Sequence, residues 1–274
     1  MVITLGNIVF GGKGNGGGTP AAYVVPDGMS FGYTSLTEFP FDDFDFSQKT
    51  NFNYCWWNCS KLTEFPMLDV SKGTSFNSAW GGCSNLTEFP LLDLSKGTDF
   101  SQAWNNCSSL TEFPMLDVSN GTSFSNAWYR CSSLTSFPQL DLSKGTSFSY
   151  AWYGCESLAT FPEVDLSKGT GFNYTWYNCK SLTSLPALDL SKGTSFGSTW
   201  YNCSSLTNLG GFGAISTNID LHWSTLLTVE SIMNVINQAA TVTGNKRMTL
   251  GSENLAKLTD EQKAVATSKG WTLM

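Results

Sequence analysis

A chain of 274 residues with a formal net charge of −7 and a pI near 4.7 lacks the basic stripe with which nucleic-acid binders neutralise phosphates. It carries two arginines, Arg130 and Arg247, and no Lys/Arg cluster. No stretch approaches the ~20 apolar residues that span a bilayer, so membrane insertion is not expected.

Charged residues make up 14% of the chain, against about a quarter in ordinary globular domains. Gly, Ser, Thr, Asn and aromatic residues fill the gap, which suggests many turns and an uncharged, aromatic-rich surface. The start, Met1 to Phe10, lacks a basic opening, a long apolar core and a cleavage site, so it is not expected to be a signal peptide. The glycine-rich run at 11–18 has no Gly-Lys-Ser/Thr ending and no helix pattern behind it, which excludes a phosphate loop. Residues 1–29 therefore read as a Gly-rich tether or attachment segment.

From residue 30 to 213 the chain repeats itself. Tryptophan falls at 56, 80, 104, 128, 152, 176 and 200, with cysteine three residues later each time and leucine three after that. Phe52 to Phe196, Pro66 to Pro186, Asp69 to Asp189 and Gly73 to Gly193 keep the same 24-residue interval. Ser35-Leu36-Thr-Glu-Phe39-Pro40 reads as an opening half-copy, with a two-residue insertion at Phe41-Asp-Asp-Phe44. A unit this short cannot bury its own apolar face and must stack on its neighbours. Stacking in register puts Trp on Trp and Cys on Cys at about 4.8 Å. The proline of each unit excludes a helix there, and Asp-x-Ser-x-Gly has turn chemistry. Short parallel strands are expected at Ser-Leu-Thr-x-Phe and at Thr-Ser-Phe.

The unit Trp104-Asn-Asn-Cys107-Ser-Ser-Leu110-Thr-Glu-Phe113-Pro114 resembles the bacterial surface-protein-A-like (Treponema-type) leucine-rich repeats, with Trp where Phe is usual. Leu68-Asp-Val70-Ser-Lys-Gly73-Thr-Ser-Phe76 resembles the wider leucine-rich pattern, with Gly at the Asn position. The resemblance covers about residues 30–211. It implies a β-rich, right-handed leucine-rich-repeat solenoid and a role in adhesion or recognition, and it implies no particular ligand.

Beyond Gly213 the periodicity changes. Val229, Ile232, Met233 and Ile236 share one helical face after Thr228 as N-cap, with Gly244 following the helix. Thr259 and Gln262 form a capping-box pattern for a second helix ending near Ser268, with Gly270 as its stop. Residues 214–274 are expected to be a small α/β cap, mainly helical, over the last coil. The segment from Leu255 to Trp271 resembles the C-terminal segments of repeat proteins encoded by gut-bacterial phages and their hosts.

Cysteines spaced one per coil form a line, whereas zinc needs four converging ligands, and parallel Cβ vectors do not meet disulfide geometry. A buried free-thiol ladder is the expectation, with Cys55, outside the column, as the thiol expected at the surface. The Asp column is tolerable only at the surface, where backbone N–H groups and the neighbouring Lys column would satisfy it without calcium. His222 has no assignable nucleophile, so neither catalysis nor a cofactor is expected.

The variable positions flanking each Trp are the candidate binding site. Tyr129, Tyr153, Tyr177 and Tyr201, with Tyr150, Tyr174 and Trp57, would form an outward aromatic strip bordered by Asn105, Asn106, Asn178 and Asn202. Such a strip suits sugar rings or a protein partner, and a Tyr ladder that merely stabilises the stack fits equally well. The expected function is a non-enzymatic recognition or adhesion protein of a phage virion, such as a tail fibre. It would contact a host-surface glycan or protein and meet other virion proteins through its N-terminal segment. A virion decoration protein without a ligand and a bacterial surface adhesin are the alternatives. No coiled-coil heptad is visible, so a homo-oligomer stays open.

Overall fold

A computed structural model describes residues 22–33, 37 and 43–274, together with the backbone of 3–5 and 8–10. The glycine-rich run, the half-copy at 35–40 (Thr37 apart) and the start of its insertion lie outside the described residues. At the N-terminus β1 (Ile3–Leu5) pairs antiparallel with β2 (Ile8–Phe10). Further on, β3 (Tyr23–Val24) lies parallel to β4 (Phe44–Asp45).

From residue 51 onward the chain is a repeat stack. Parallel bridges join Asn51, Ser75, Asp99, Ser123, Ser147, Gly171 and Ser195 in one column. A second column joins Ser136, Thr160 and Ser184, and continues as β5 (Ser184–Leu185) beside β6 (Asn208–Leu209). Both expected strand positions therefore pair in parallel, but each is only one or two residues long.

Backbone conformation explains the brevity. In each unit the residues two before and two after the Trp adopt left-handed φ, as at Gln102 (57°), Asn106 (58°), Tyr150 (60°) and Tyr174 (57°). This alternation turns every second N–H toward the next coil: Phe100, Gln102, Trp104 and Asn106 donate to Ser123, Ser125, Ala127 and Tyr129 at 2.7–2.9 Å. The intervening N–H groups of Ala103, Asn105 and Cys107 bond back to carbonyls three residues earlier. The segment is a stack of turns, fully hydrogen-bonded without extended strands. Each non-glycine left-handed residue costs on the order of 1–3 kcal/mol, a load that the packing inside must offset.

That packing is continuous. The seven Trp rings are fully buried and stack with neighbouring centroids 5.4–6.3 Å apart. Phe113 meets Trp104 edge-on at 4.8 Å, and the equivalent Phe137 meets Trp128 at the same distance. The seven indole N–H groups are buried with no oxygen or nitrogen acceptor among the described residues. A buried unpaired donor costs about 1–3 kcal/mol, so aromatic contact outweighs lost hydrogen bonding here.

All eight cysteines are free and buried. Those of the column lean on the backbone of the preceding coil, as Cys107 Sγ does on Trp80 O at 3.3 Å. Burial raises the thiol pKa values of Cys83, Cys107, Cys131, Cys155, Cys179 and Cys203, for Cys155 and Cys203 to about 12. Cys55 corrects the expectation of a surface thiol: it is fully buried. It occupies the niche that Ala79, Ala103, Ala127 and Ala151 fill beside Trp in later coils, where a thiol fits as a small apolar group. The glycine column is also explained by packing. A Cβ on Gly73, Gly97, Gly121, Gly145, Gly169 or Gly193 would lie 2.2–2.3 Å from the Cζ of the Phe three residues on.

After the last coil, β7 (Ile219–Asp220), β8 (Lys246–Thr249) and β9 (Trp271–Leu273) form a parallel sheet in that order. Three helices accompany it: α1 (Val229–Gln238), α2 (Gly251–Leu255) and α3 (Asp260–Ser268). Thr228 caps α1, and Thr259 with Gln262 forms the capping box of α3. Helix α1 stops at Gln238, ahead of Gly244, and at its end Lys269 Nζ donates to the carbonyls of Ile236, Asn237 and Ala239. Helix α1 docks on the stack through Ser231 Oγ, which donates to Thr207 O at 3.0 Å and accepts from Leu209 N at 3.0 Å. At the other end Lys49, also buried, donates to the carbonyls of Pro26, Asp27 and Met29.

Candidate binding face

The Trp–Cys turn sorts its side chains by position. Trp and Cys point into the stack, while in the C-terminal coils the residue after Trp and the residue two before it reach the surface; in the N-terminal coils Ser78 and Asn105 at these positions are buried. The coils of Trp152 and Trp176 carry tyrosine at both positions, and those of Trp128 and Trp200 carry it after the Trp alone. Tyr129, Tyr153, Tyr177 and Tyr201 form one ladder, with centroids 4.7, 4.6 and 4.6 Å apart and rings within 12° of parallel. Tyr150 and Tyr174 form a second ladder at 4.7 Å, and it touches the first at 5.6–6.4 Å. All six are half-buried.

The six phenolic oxygens make no hydrogen bond to another described residue, and none is buried, so all meet solvent. Partial burial and the neighbouring phenols raise the pKa values of Tyr150 and Tyr177. The hydroxyls there stay protonated at neutral pH and serve as donors and acceptors. Ring faces inside each ladder are occupied by other rings, so a sugar cannot stack between them as an open aromatic platform would allow. What the face offers is ring edges and hydroxyls at a fixed spacing.

Trp57 does not belong to this ladder. It shares the column of Tyr129 but sits three coils earlier, and Gly81 and Asn105 separate the two. Its ring lies over Gly81, where a Cβ would be 2.2 Å from its Cζ3. Its Nε1 donates to Tyr33 Oη at 3.1 Å, and Tyr54 meets it edge-on at 5.9 Å. The expected continuous strip is therefore two islands. Of the bordering amides, Asn105 is buried, while Asn202 Nδ2 donates to Asn178 Oδ1 at 2.6 Å.

Several residues of the face were not singled out by periodicity. Trp223, 48% exposed, covers the end of the ladder, 4.9 Å from Tyr201. His222 lies beside it at 4.3 Å, with Nδ1 2.8 Å from Asp220 Oδ1. Both lie beyond the repeat, where column counting carries no information. Arg130 holds its guanidinium over Tyr129 at 5.3 Å. A separate exposed column, Met67, Leu91 and Met115, was legible in the position after each proline.

The Asp column is an Asx-turn column. Asp93 Oδ1 accepts from Ser95 N at 3.1 Å and Ser95 Oγ at 2.6 Å, and Asp141 and Asp165 bond Ser143 N and Ser167 N alike. These serine bonds hold the three carboxyls below their usual range, with nearby lysines a smaller cause. The lysines turn elsewhere, Lys72 to Gln48 Oε1 and Lys144 to Asn120 Oδ1. Among the described residues no three His, Cys, Asp or Glu side chains converge to hold a metal ion. Beside the His222–Asp220 pair, the Ser224 hydroxyl is buried and donates to Trp200 O at 3.3 Å.

In comparison with known proteins, the chain matches no family model, no curated protein and no solved structure.

Proposed function

We propose that this chain is a non-enzymatic recognition and adhesion protein whose binding face is the paired tyrosine ladder. The observation that carries the reading is the set of six phenolic hydroxyls, aligned by the stack, facing solvent and without a hydrogen bond to any described residue. Tyrosine brings contact area and a polar tip at small entropic cost, and it is enriched where proteins bind tightly. Parallel bridges at every 24th residue support the finer reading of a right-handed leucine-rich-repeat solenoid, of the surface-protein-A-like kind that the sequence resembles. On that reading residues 30–213 are the recognition stack, 1–29 attach to other proteins of a phage virion, and the partner is a glycan or protein of the host surface. A bacterial surface adhesin would use the same face.

Mutual stacking of the rings favours a second reading, a virion decoration protein in which the ladder only stiffens the stack. Replacing Tyr153 and Tyr177 by Phe separates the two, because stacking survives and the hydroxyls go. Recognition requires weaker attachment to bacterial cells or arrayed surface glycans at an unchanged melting temperature. Unaltered attachment contradicts it.

A further inference from the structure

The column two residues after each buried Trp reads Asn58, Gly82, Asn106, Arg130, Gly154, Asn178 and Asn202, all with left-handed φ between 55° and 78°. Asn and Gly suit that conformation. Arg130 does not, and it is the single charged residue in the column. Beside it Gly154 contributes no side chain, which leaves a recess of about 240 Å³. Arg130, Tyr153, Gly154, Glu156 and Asn178 line it. A larger hollow in the cap is lined by Leu255, Lys263, Thr267, Trp271, Thr272 and Leu273, and its one cation, Lys263, lies 3.9 Å from Asp260 Oδ1.

Three of the polar groups around the smaller recess, on Arg130, Tyr153 and Asn178, keep donors that no described residue accepts. The Arg130 guanidinium makes no hydrogen bond or ion pair with another described residue. Stacking on Tyr129 restrains it while leaving its planar fork of N–H groups free at the edge. Asn178 Oδ1 is taken by Asn202 Nδ2, which leaves the Asn178 Nδ2 hydrogens without an acceptor among the described residues. The Tyr153 hydroxyl is free as well. Glu156, the one carboxylate, is paired with Lys180 at 3.0 Å. The Arg130 guanidinium is thus the one charge at the recess left without a partner among the described residues.

We propose that this recess binds a sugar residue bearing a carboxylate, with Arg130 engaging the carboxylate and Tyr153 and Asn178 the neighbouring hydroxyls. A bidentate guanidinium–carboxylate pair supplies both energy and orientation. The inference rests on the recognition reading above and narrows its ligand.

The test measures binding of the full chain to immobilised oligosaccharides that end in glucuronate, in N-acetylneuraminate or in glucose. At least one acid-terminated glycan is expected to bind about tenfold or more tightly than the neutral one, as charge-assisted hydrogen bonds require. The acid that is preferred identifies the source of the carboxylate. Arg130→Gln should abolish the preference, and Arg130→Lys should restore it only in part. Gly154→Asn should also abolish it, by filling the recess with the residue that this column carries elsewhere. Melting temperatures check that each variant folds. Equal binding of acid and neutral glycans, or a preference that survives Arg130→Gln, overturns the inference. If Tyr153→Phe with Tyr177→Phe still weakens attachment to cells, the recognition reading stands without it. If attachment is also unaltered, both fall.

Discussion

The two halves of the repeat stack share one interior and differ outside. Trp80 and Trp152 sit in the same surroundings, each between two stacked indoles and each against an edge-on phenylalanine. On the surface the N-terminal coils present Met67, Leu91 and Met115 after the prolines, and Glu64, Glu88 and Glu112 two residues before them. The C-terminal coils put Gln139, Glu163 and Ala187 in the first column and Ser136, Thr160 and Ser184 in the second. They add the tyrosine ladders on the Trp turn. An interior that keeps its Trp, Cys and Leu columns fixes the coil spacing, and each outward column is then free to change from coil to coil. Function is therefore to be sought where the repeat departs from itself.

The largest effects should come from the shared interior. Trp128→Ala removes a ring stacked on both sides, and it should cost about 3–5 kcal/mol and lower or broaden the melting transition. Gly145→Ala sets a Cβ 2.3 Å from Phe148 Cζ and should cost about 1–3 kcal/mol by overpacking. Gly28→Ala, with nothing within 4 Å of its Cβ, should leave the melt unchanged. Calorimetry of the three variants distinguishes a glycine kept for space, Gly145, from one whose place a small side chain could fill, Gly28.

Effects on the C-terminal half alone are smaller. Tyr153→Ala loses three ring contacts, to Tyr129, Tyr150 and Tyr177, each worth about 0.5–1.5 kcal/mol, and should destabilise the stack more than Gln102→Ala does in the N-terminal half. Acid should act mildly. The carboxyls of Asp93, Asp141 and Asp165 are held below their unfolded values by serine bonds. Their contribution is full above the ordinary aspartate range and is lost as pH falls through the lowered folded values. Asp141→Asn should therefore reduce the acid sensitivity of the melt slightly. Met115→Gln, on the exposed column, should move stability by no more than ~0.5 kcal/mol.

Much of this was legible because repetition makes columns visible. The Trp, Cys, Phe and Leu columns could be read directly, as could the caps at Thr228 and Thr259 with Gln262, because both depend on spacing along the chain. Cys55 was misplaced because its niche is defined by the alanines of later coils, not by the cysteine column. Trp57 was joined to the tyrosines on residue type, although Gly81 and Asn105 stand between them in its own column. The left-handed turns were hidden because Gln102, Tyr150 and Tyr174 are not residues that favour that conformation. Lys49 and Lys269 each collect three carbonyls that only tertiary structure brings together.

The most direct test of the in-register stack is a nuclear Overhauser experiment on protein with isotope-labelled tryptophan. Cross-peaks are expected from the indole of Trp104 to those of both Trp80 and Trp128, whose centroids lie 5.7 and 5.6 Å away, and the indole N–H protons should exchange slowly with solvent. Absence of both contacts, or rapid exchange of the Trp104 indole N–H, would contradict it.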